Sequence, residues 1–223
     1  NIFARAAIVD PDLPATMPSR LTALTGFDAF CHNFEALISR GTNIHVKSIA
    51  LDAIELIAEY LPRAVADGRD MDAREALCWA DTLGGMAFSS AGVTLPHGLG
   101  MQISGHCPQV PHGASLAAQY PAFFRFTWDS AVEDFAQVGR ILDPALTGVD
   151  DRTAAEASCT AVEGFLSRID LKIDLKTFDV GRDKLRIIAD AGQVLPDYKN
   201  NPRIATKDEM YELLTASYDR KIK

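Results

Sequence analysis

From Ser19 onward the apolar residues recur every three or four positions in one segment after another. That spacing gathers them on single faces of helices, whereas a strand would alternate them. Phe27, Phe30, Phe34, Leu37 and Ile38 share one face of a helix that begins near Gly26. After the Gly41-Thr42-Asn43 turn, Val46, Ile49, Ala50, Ala53, Ile54, Ile57, Leu61, Ala64 and Val65 form the buried stripe of a long helix. Pro62 should bend that helix, because it removes a backbone donor, and Asp67-Gly68 should end it. Asp72-x-x-Glu75 opens a third helix through Leu77, Ala80, Gly84 and Ala87, and Ser130-x-x-Glu133, Thr153-x-x-Glu156 and Thr206-x-x-Glu209 read as capping boxes of three more. Residues 170–184 and 195–203 read as loops.

One run breaks the pattern. Residues 4–9, Ala4 to Val9, read as a short β-strand stopped by Asp10-Pro11, and no other stretch reads as its partner. The expected fold is therefore an all-α, bundle-like domain over 19–223 with one short leading β-strand. Residues 1–18 are expected to be that strand and a proline-rich connector, left from a sheet that belongs to an N-terminal part the sequence does not contain.

Composition narrows the function. The 22 basic and 30 acidic residues give a net charge of −8, which argues against nucleic acid or an anionic membrane as the main partner. No apolar run approaches the about 20 residues of a membrane span, and residues 1–5 have no signal-peptide pattern. Cys31, Cys78, Cys107 and Cys159 form no Cys-x-x-Cys pair and read as reduced thiols, so the expected location is cytoplasmic.

The chemistry concentrates in a tripeptide written twice. Pro96-His97-Gly98 and Pro111-His112-Gly113 place two imidazoles on stiff backbone at helix starts, each followed by a glycine that lets another group approach. Histidine is the commonest metal ligand. Asp28 and His32, one helical turn apart, can join His97 and His112 if the first helix packs against that segment. Three neutral imidazoles and one carboxylate leave a divalent ion about one net positive charge, which suits a Lewis acid with an open coordination position. Plainer roles compete: a helix-packing pair for Asp28 and His32, a helix-start role for the doubled tripeptide, and solvent for His45 and His106. Glu35 reads as solvated or placed behind the ligands, and Phe88 and Trp128 as core aromatics. Two other functions compete as well, a metal-dependent hydrolase and a non-enzymatic helical domain with a structural metal.

The segments Asp10-Pro11, Thr25-Gly26-Phe27-Asp28-Ala29-Phe30-Cys31-His32, Gly85-Met86-Ala87-Phe88-Ser89-Ser90-Ala91-Gly92, His97-Gly98, Pro111-His112-Gly113 and Asn201-Pro202-Arg203 together resemble the C-terminal half of the iron-containing (group III) alcohol dehydrogenases. The similarity runs over essentially the whole chain. It implies the helical C-terminal domain shared with dehydroquinate synthase-like proteins, with Asp28, His32, His97 and His112 as metal ligands. It implies iron(II), with zinc the alternative, and Phe88 against the nicotinamide of NAD or NADP. It implies hydride transfer between a small alcohol and an aldehyde or ketone.

The family's nucleotide-binding domain carries a Gly-Gly-Gly-Ser loop that this sequence lacks, so the expectation is a metal-binding domain that alone is inactive, in a protein that can form a homodimer. Many members carry a histidine, credited with proton relay, where this chain has Met101; a thioether carries no proton.

Overall fold

The structure, a computed structural model, describes residues 5–219, and among them nine α-helices and five short 3-10 turns form the whole of the regular structure. The helices are α1 (Ser19–Ile38), α2 (Ile44–Ala66), α3 (Met71–Ala91), α4 (Leu95–His106), α5 (His112–Thr127), α6 (Val132–Leu142), α7 (Asp151–Arg168), α8 (Lys184–Ala191) and α9 (Lys207–Tyr218). α1 lies at the centre, packed by α2 and α3 on one side and by α5 on another. α6 pairs with α7, and α8 with α9, outside α5 and α4.

The core is aromatic. Phe27, Phe30 and Phe34 of α1 are fully buried, as their three- and four-residue spacing requires. The Phe34 ring stacks on Phe124 of α5 at 4.7 Å and meets Phe135 of α6 edge-on at 5.1 Å. Tyr120 of α5 meets Phe27 edge-on at 5.2 Å, and Phe165 of α7 closes on Phe30 at 5.4 Å. Each fully buried phenylalanine contributes roughly 1.5–3 kcal/mol of transfer free energy, and the offset and edge contacts add to that. A buried guanidinium fastens the entry to this core: Arg74 of α3 donates to Thr22 Oγ1, Gly68 O and Met17 O, joining α1, the α2–α3 turn and the connector.

Several local expectations change. α1 starts at Ser19 and runs through Gly26, where an added Cβ would lie 2.3 Å from Leu61 Cδ1 of α2; that glycine is a contact point between helices. α2 carries Pro62 inside it and ends at Ala66 with Asp67 as its C-cap, where Asp67-Gly68 is expected to end it. The N-cap of α3 is Asp70, which accepts from Ala73 N, with Asp72 inside the first turn. The capping box at Thr206 and Glu209 has both of its hydrogen bonds. The other two boxes do not form: α7 is capped by Asp150 accepting from Thr153 N, and Ala131 at the N-cap of α6 gives no side-chain cap. Residues 170–184 contain the 3-10 turn Leu175–Phe178, and α8 follows where no helix is expected.

The described part of the leading segment, residues 5–10, has no strand structure and is exposed; Ile8 shows 93% of its surface. Ala4 lies outside the described residues. A strand is a property of a pair, and these residues have no ladder to join.

Candidate metal centre

Helical periodicity turns Asp28, His32 and Glu35 of α1 toward the starts of α4 and α5. Pro96 lies in the first turn of α4 and Pro111 caps α5, positions where a missing backbone N–H costs nothing. The glycine after the second histidine sets the spacing. A Cβ on Gly113 would sit 2.4 Å from Leu24 O, so the first turn of α5 rests directly on the backbone of α1. Asp28, one turn beyond Leu24, then faces His112.

Three ligand-type atoms converge there. Asp28 Oδ1 lies 3.4 Å from His97 Nε2 and 3.7 Å from His112 Nε2, and Asp28, His97 and His112 together form a group able to hold an ion. Bonds of about 2.1 Å at tetrahedral or octahedral angles hold neighbouring ligand atoms about 3.0–3.5 Å apart; the Asp28–His97 pair is at that spacing and the Asp28–His112 pair a few tenths of an ångström wider. Asp28 Oδ1 and His97 Nε2 are both buried and both lack a hydrogen-bond partner. Buried polar atoms are nearly always satisfied, and one cation between them satisfies both.

Behind His97 stands Glu35, fully buried. Its Oε1 lies 2.8 Å from His97 Nδ1 and 3.1 Å from the Tyr120 hydroxyl, while Oε2 accepts from Thr94 N at 2.7 Å and Thr94 Oγ1 at 3.1 Å. Of its two expected roles, solvated or behind the ligands, it has the second. Thr94 and Tyr120 escape sequence reasoning. A glutamate seven residues after Asp28, between Phe34 and Ala36, was the available signal.

Electrostatics follow from this wiring. Burial alone would depress His97, but the Glu35 and Asp28 carboxylates outweigh it and hold the imidazolium up to about 10. Burial, the largest influence on Asp28, pushes its carboxyl up, yet the His97 contact and the charges of His32, His97 and His112 bring it below the usual range. Burial lowers His32 and His112, which favours the neutral, ligand form.

His32 stands beside the cluster. Its ring centroid is 4.5 Å from that of His97 and 4.7 Å from that of Phe88, on which it stacks, but its nitrogens are not among the three converging atoms. Phe88 is half-buried, as are Trp128 and the ring of His32. His45 is exposed at the start of α2, and His106 is exposed as the last residue of α4. Nine residues separate His106 from His97 along that helix, about 13 Å of rise. Met101 is 45% exposed. Asn201 is buried and donates to Thr127 Oγ1 and Arg203 O, a loop-fixing role.

Fold and site together describe an all-helical domain with a candidate histidine–carboxylate metal centre where α1 meets the N-termini of α4 and α5. The chain belongs to the Fe-containing alcohol dehydrogenase family, whose C-terminal region matches residues 22–218. It is 31% identical to an NAD-dependent methanol dehydrogenase of Bacillus methanolicus over 96% of this chain and 56% of that protein. It is 34% identical to the probable alcohol dehydrogenase EutG of Escherichia coli over 97% of this chain and 53% of that protein. Among solved structures, a 1,3-propanediol oxidoreductase superposes with a TM-score of 0.90 at 31% identity, covering 94% of this chain and 55% of the other. The archaeal Red Sea brine pool alcohol dehydrogenase ADH/D1 superposes with a TM-score of 0.91 at 32% identity, covering 96% and 55%. The chain thus spans about half the length of the relatives it matches. No helix among the described residues is long and apolar enough to cross a membrane.

Proposed function

We propose that Asp28, His32, His97 and His112 hold a divalent metal, iron(II) first and zinc as the alternative. The whole protein is then an NAD(P)-dependent alcohol dehydrogenase that moves hydride between a small alcohol and its aldehyde or ketone. The convergence of Asp28 Oδ1, His97 Nε2 and His112 Nε2, two of them buried without partners, carries this reading in a chain of this family. Relatives named as methanol, 1,3-propanediol and NADPH-dependent butanol dehydrogenases support a small alcohol and either nicotinamide.

When bound, the metal supplies Lewis-acid polarisation of the substrate oxygen, and the nicotinamide takes or gives the hydride. Asp28 provides the ligand charge. His97 presents Nε2 because its other nitrogen is held. His112, with a side chain 36% exposed, stands on the solvent side where substrate enters. His32 supplies the fourth ligand, supported by its place one turn from Asp28 and beside His97. Phe88, stacked on His32, offers an apolar wall to the nicotinamide. With Met101 at the relay position and His106 a helix length away, the proton leaves through water at the exposed edge.

In this reading residues 19–223 are the metal-binding domain, residues 1–18 its junction, and a nucleotide-binding domain precedes them, which the length of the relatives supports. The free thiols of Cys31, Cys78, Cys107 and Cys159 support a cytoplasmic setting, and the reading includes a homodimer, which light scattering checks. Anaerobic loading followed by elemental analysis tests the centre: one iron or zinc per chain is expected, and no metal above the level of His112→Ala overturns it. Alcohol-dependent reduction of NAD by the 223-residue chain alone would overturn the domain assignment.

A further inference from the structure

We infer that Glu35 is the positioning residue of the metal centre: it fixes the His97 imidazole as the Nδ1–H tautomer and supplies the second negative charge that, with Asp28, balances a divalent ion. The inference rests on the metal-centre reading above.

The donors around Glu35 leave little freedom. Thr94 N is a backbone amide and can only donate, so Oε2 is an acceptor, and the Thr94 hydroxyl reaches the same oxygen. Oε1 is shared by His97 Nδ1 and the Tyr120 hydroxyl, which also lies 3.4 Å from Cys31 O. With Oε2 taken by the Thr94 donors, a carboxylate oxygen at Oε1 can only accept, and Nδ1 then carries the hydrogen. In the neutral imidazole that binds a metal, the Nε2 lone pair then points where Asp28 and His112 converge.

The charge argument is independent. Glu35 is fully buried, and among the described residues no arginine or lysine is one of its hydrogen-bonding partners. A buried carboxylate is strongly disfavoured unless a positive charge lies near it. With an ion bound, that charge lies across the His97 ring; without one, the His97 imidazolium 2.8 Å away carries it. One divalent ion, Asp28 and Glu35 sum to zero, with the imidazoles neutral. A merely structural glutamate would tie α4 and α5 to α1 through the same hydrogen bonds but would have no bearing on which nitrogen of His97 is protonated.

Glu35→Gln separates these roles. The amide oxygen stays with the two Thr94 donors, and the amide NH2 turns to His97 Nδ1, forcing the hydrogen onto Nε2 where it blocks the ligand position. Zinc affinity, measured by chelator competition on the 223-residue chain, is expected to fall about 10- to 100-fold, and 15N NMR of the metal-free variant above pH 7 is expected to show His97 as the Nε2–H tautomer. Tyr120→Phe, which removes one donor from the same oxygen and leaves the imidazole contact, is expected to stay within about threefold of the wild type. A folded Glu35→Gln that binds zinc within threefold of wild type overturns the inference while leaving the metal centre standing; a wild type that binds no zinc overturns both. Should Glu35→Gln not fold, NMR of the zinc-loaded wild type decides: a slowly exchanging proton on His97 Nδ1 supports the inference, and its absence overturns it.

Discussion

The two faces of α1 are built by opposite rules. On one, Phe27, Phe30 and Phe34 meet Tyr120, Phe124, Phe135 and Phe165 in overlapping ring contacts, so each ring has several neighbours. On the other, Asp28 and Glu35 have a few directed partners at fixed distances, and two buried polar atoms have none. The aromatic face stores stability and can repack around a small change. The polar face stores geometry, and each group in it has one substitute or none.

The sharpest break of this contrast is Phe34→Ala, expected to cost about 3–5 kcal/mol in chemical denaturation and to carry the metal centre down with the fold. His112→Ala should do the reverse, weakening metal binding by roughly 100-fold or more, about 2.7 kcal/mol, while the metal-free unfolding midpoint stays within a few degrees. If both midpoints fall together, the two faces are not separable. Gly113→Ala should cost about 1–3 kcal/mol through the clash with Leu24 O and weaken metal binding too, because α5 is pushed off α1.

Acidity comes next. In the metal-free protein His97 keeps its proton up to about pH 10, well above the about 6.5 of a free imidazole. That proton stabilises the metal-free fold fully below about pH 6.5, and the contribution is lost as pH rises through about 10. A metal must displace it, so affinity should climb up to about tenfold per pH unit across the same window, and isothermal titration in buffers of different ionisation heat should show proton release. The smallest effect is expected from Thr206→Ala, which removes the α9 capping box: about 1 kcal/mol of stability and unchanged metal affinity.

The division between faces also explains what could be read from sequence. Phe27, Phe30 and Phe34 were legible because burial imposes a 3.6-residue period. His97 and His112 were legible as ligand-type residues at paired helix starts, and Asp28 and His32 as a pair one turn apart that could join them; of the four, Asp28, His97 and His112 converge. Glu35 was legible only as one of two alternatives, since a carboxylate on a polar face looks the same in sequence whether water or an imidazole satisfies it. The caps went wrong for a local reason: Thr153 and Glu156 have the spacing of a capping box, yet Asp150 takes the cap three residues earlier, and both arrangements share the same composition. α8 is eight residues long with Leu185, Ile188 and Ala189 buried, too short for a period to emerge. The leading strand failed because extended sequence makes a strand only where a neighbour offers its own backbone.

The bare contact between Gly113 and Leu24 O carries a consequence for descent with change. Where two helices touch through side chains, every substitution at the seam retunes their separation. Here no side chain intervenes, so the spacing of Asp28 and His112 is inherited from peptide geometry, and the surrounding surface is free to diverge without disturbing it.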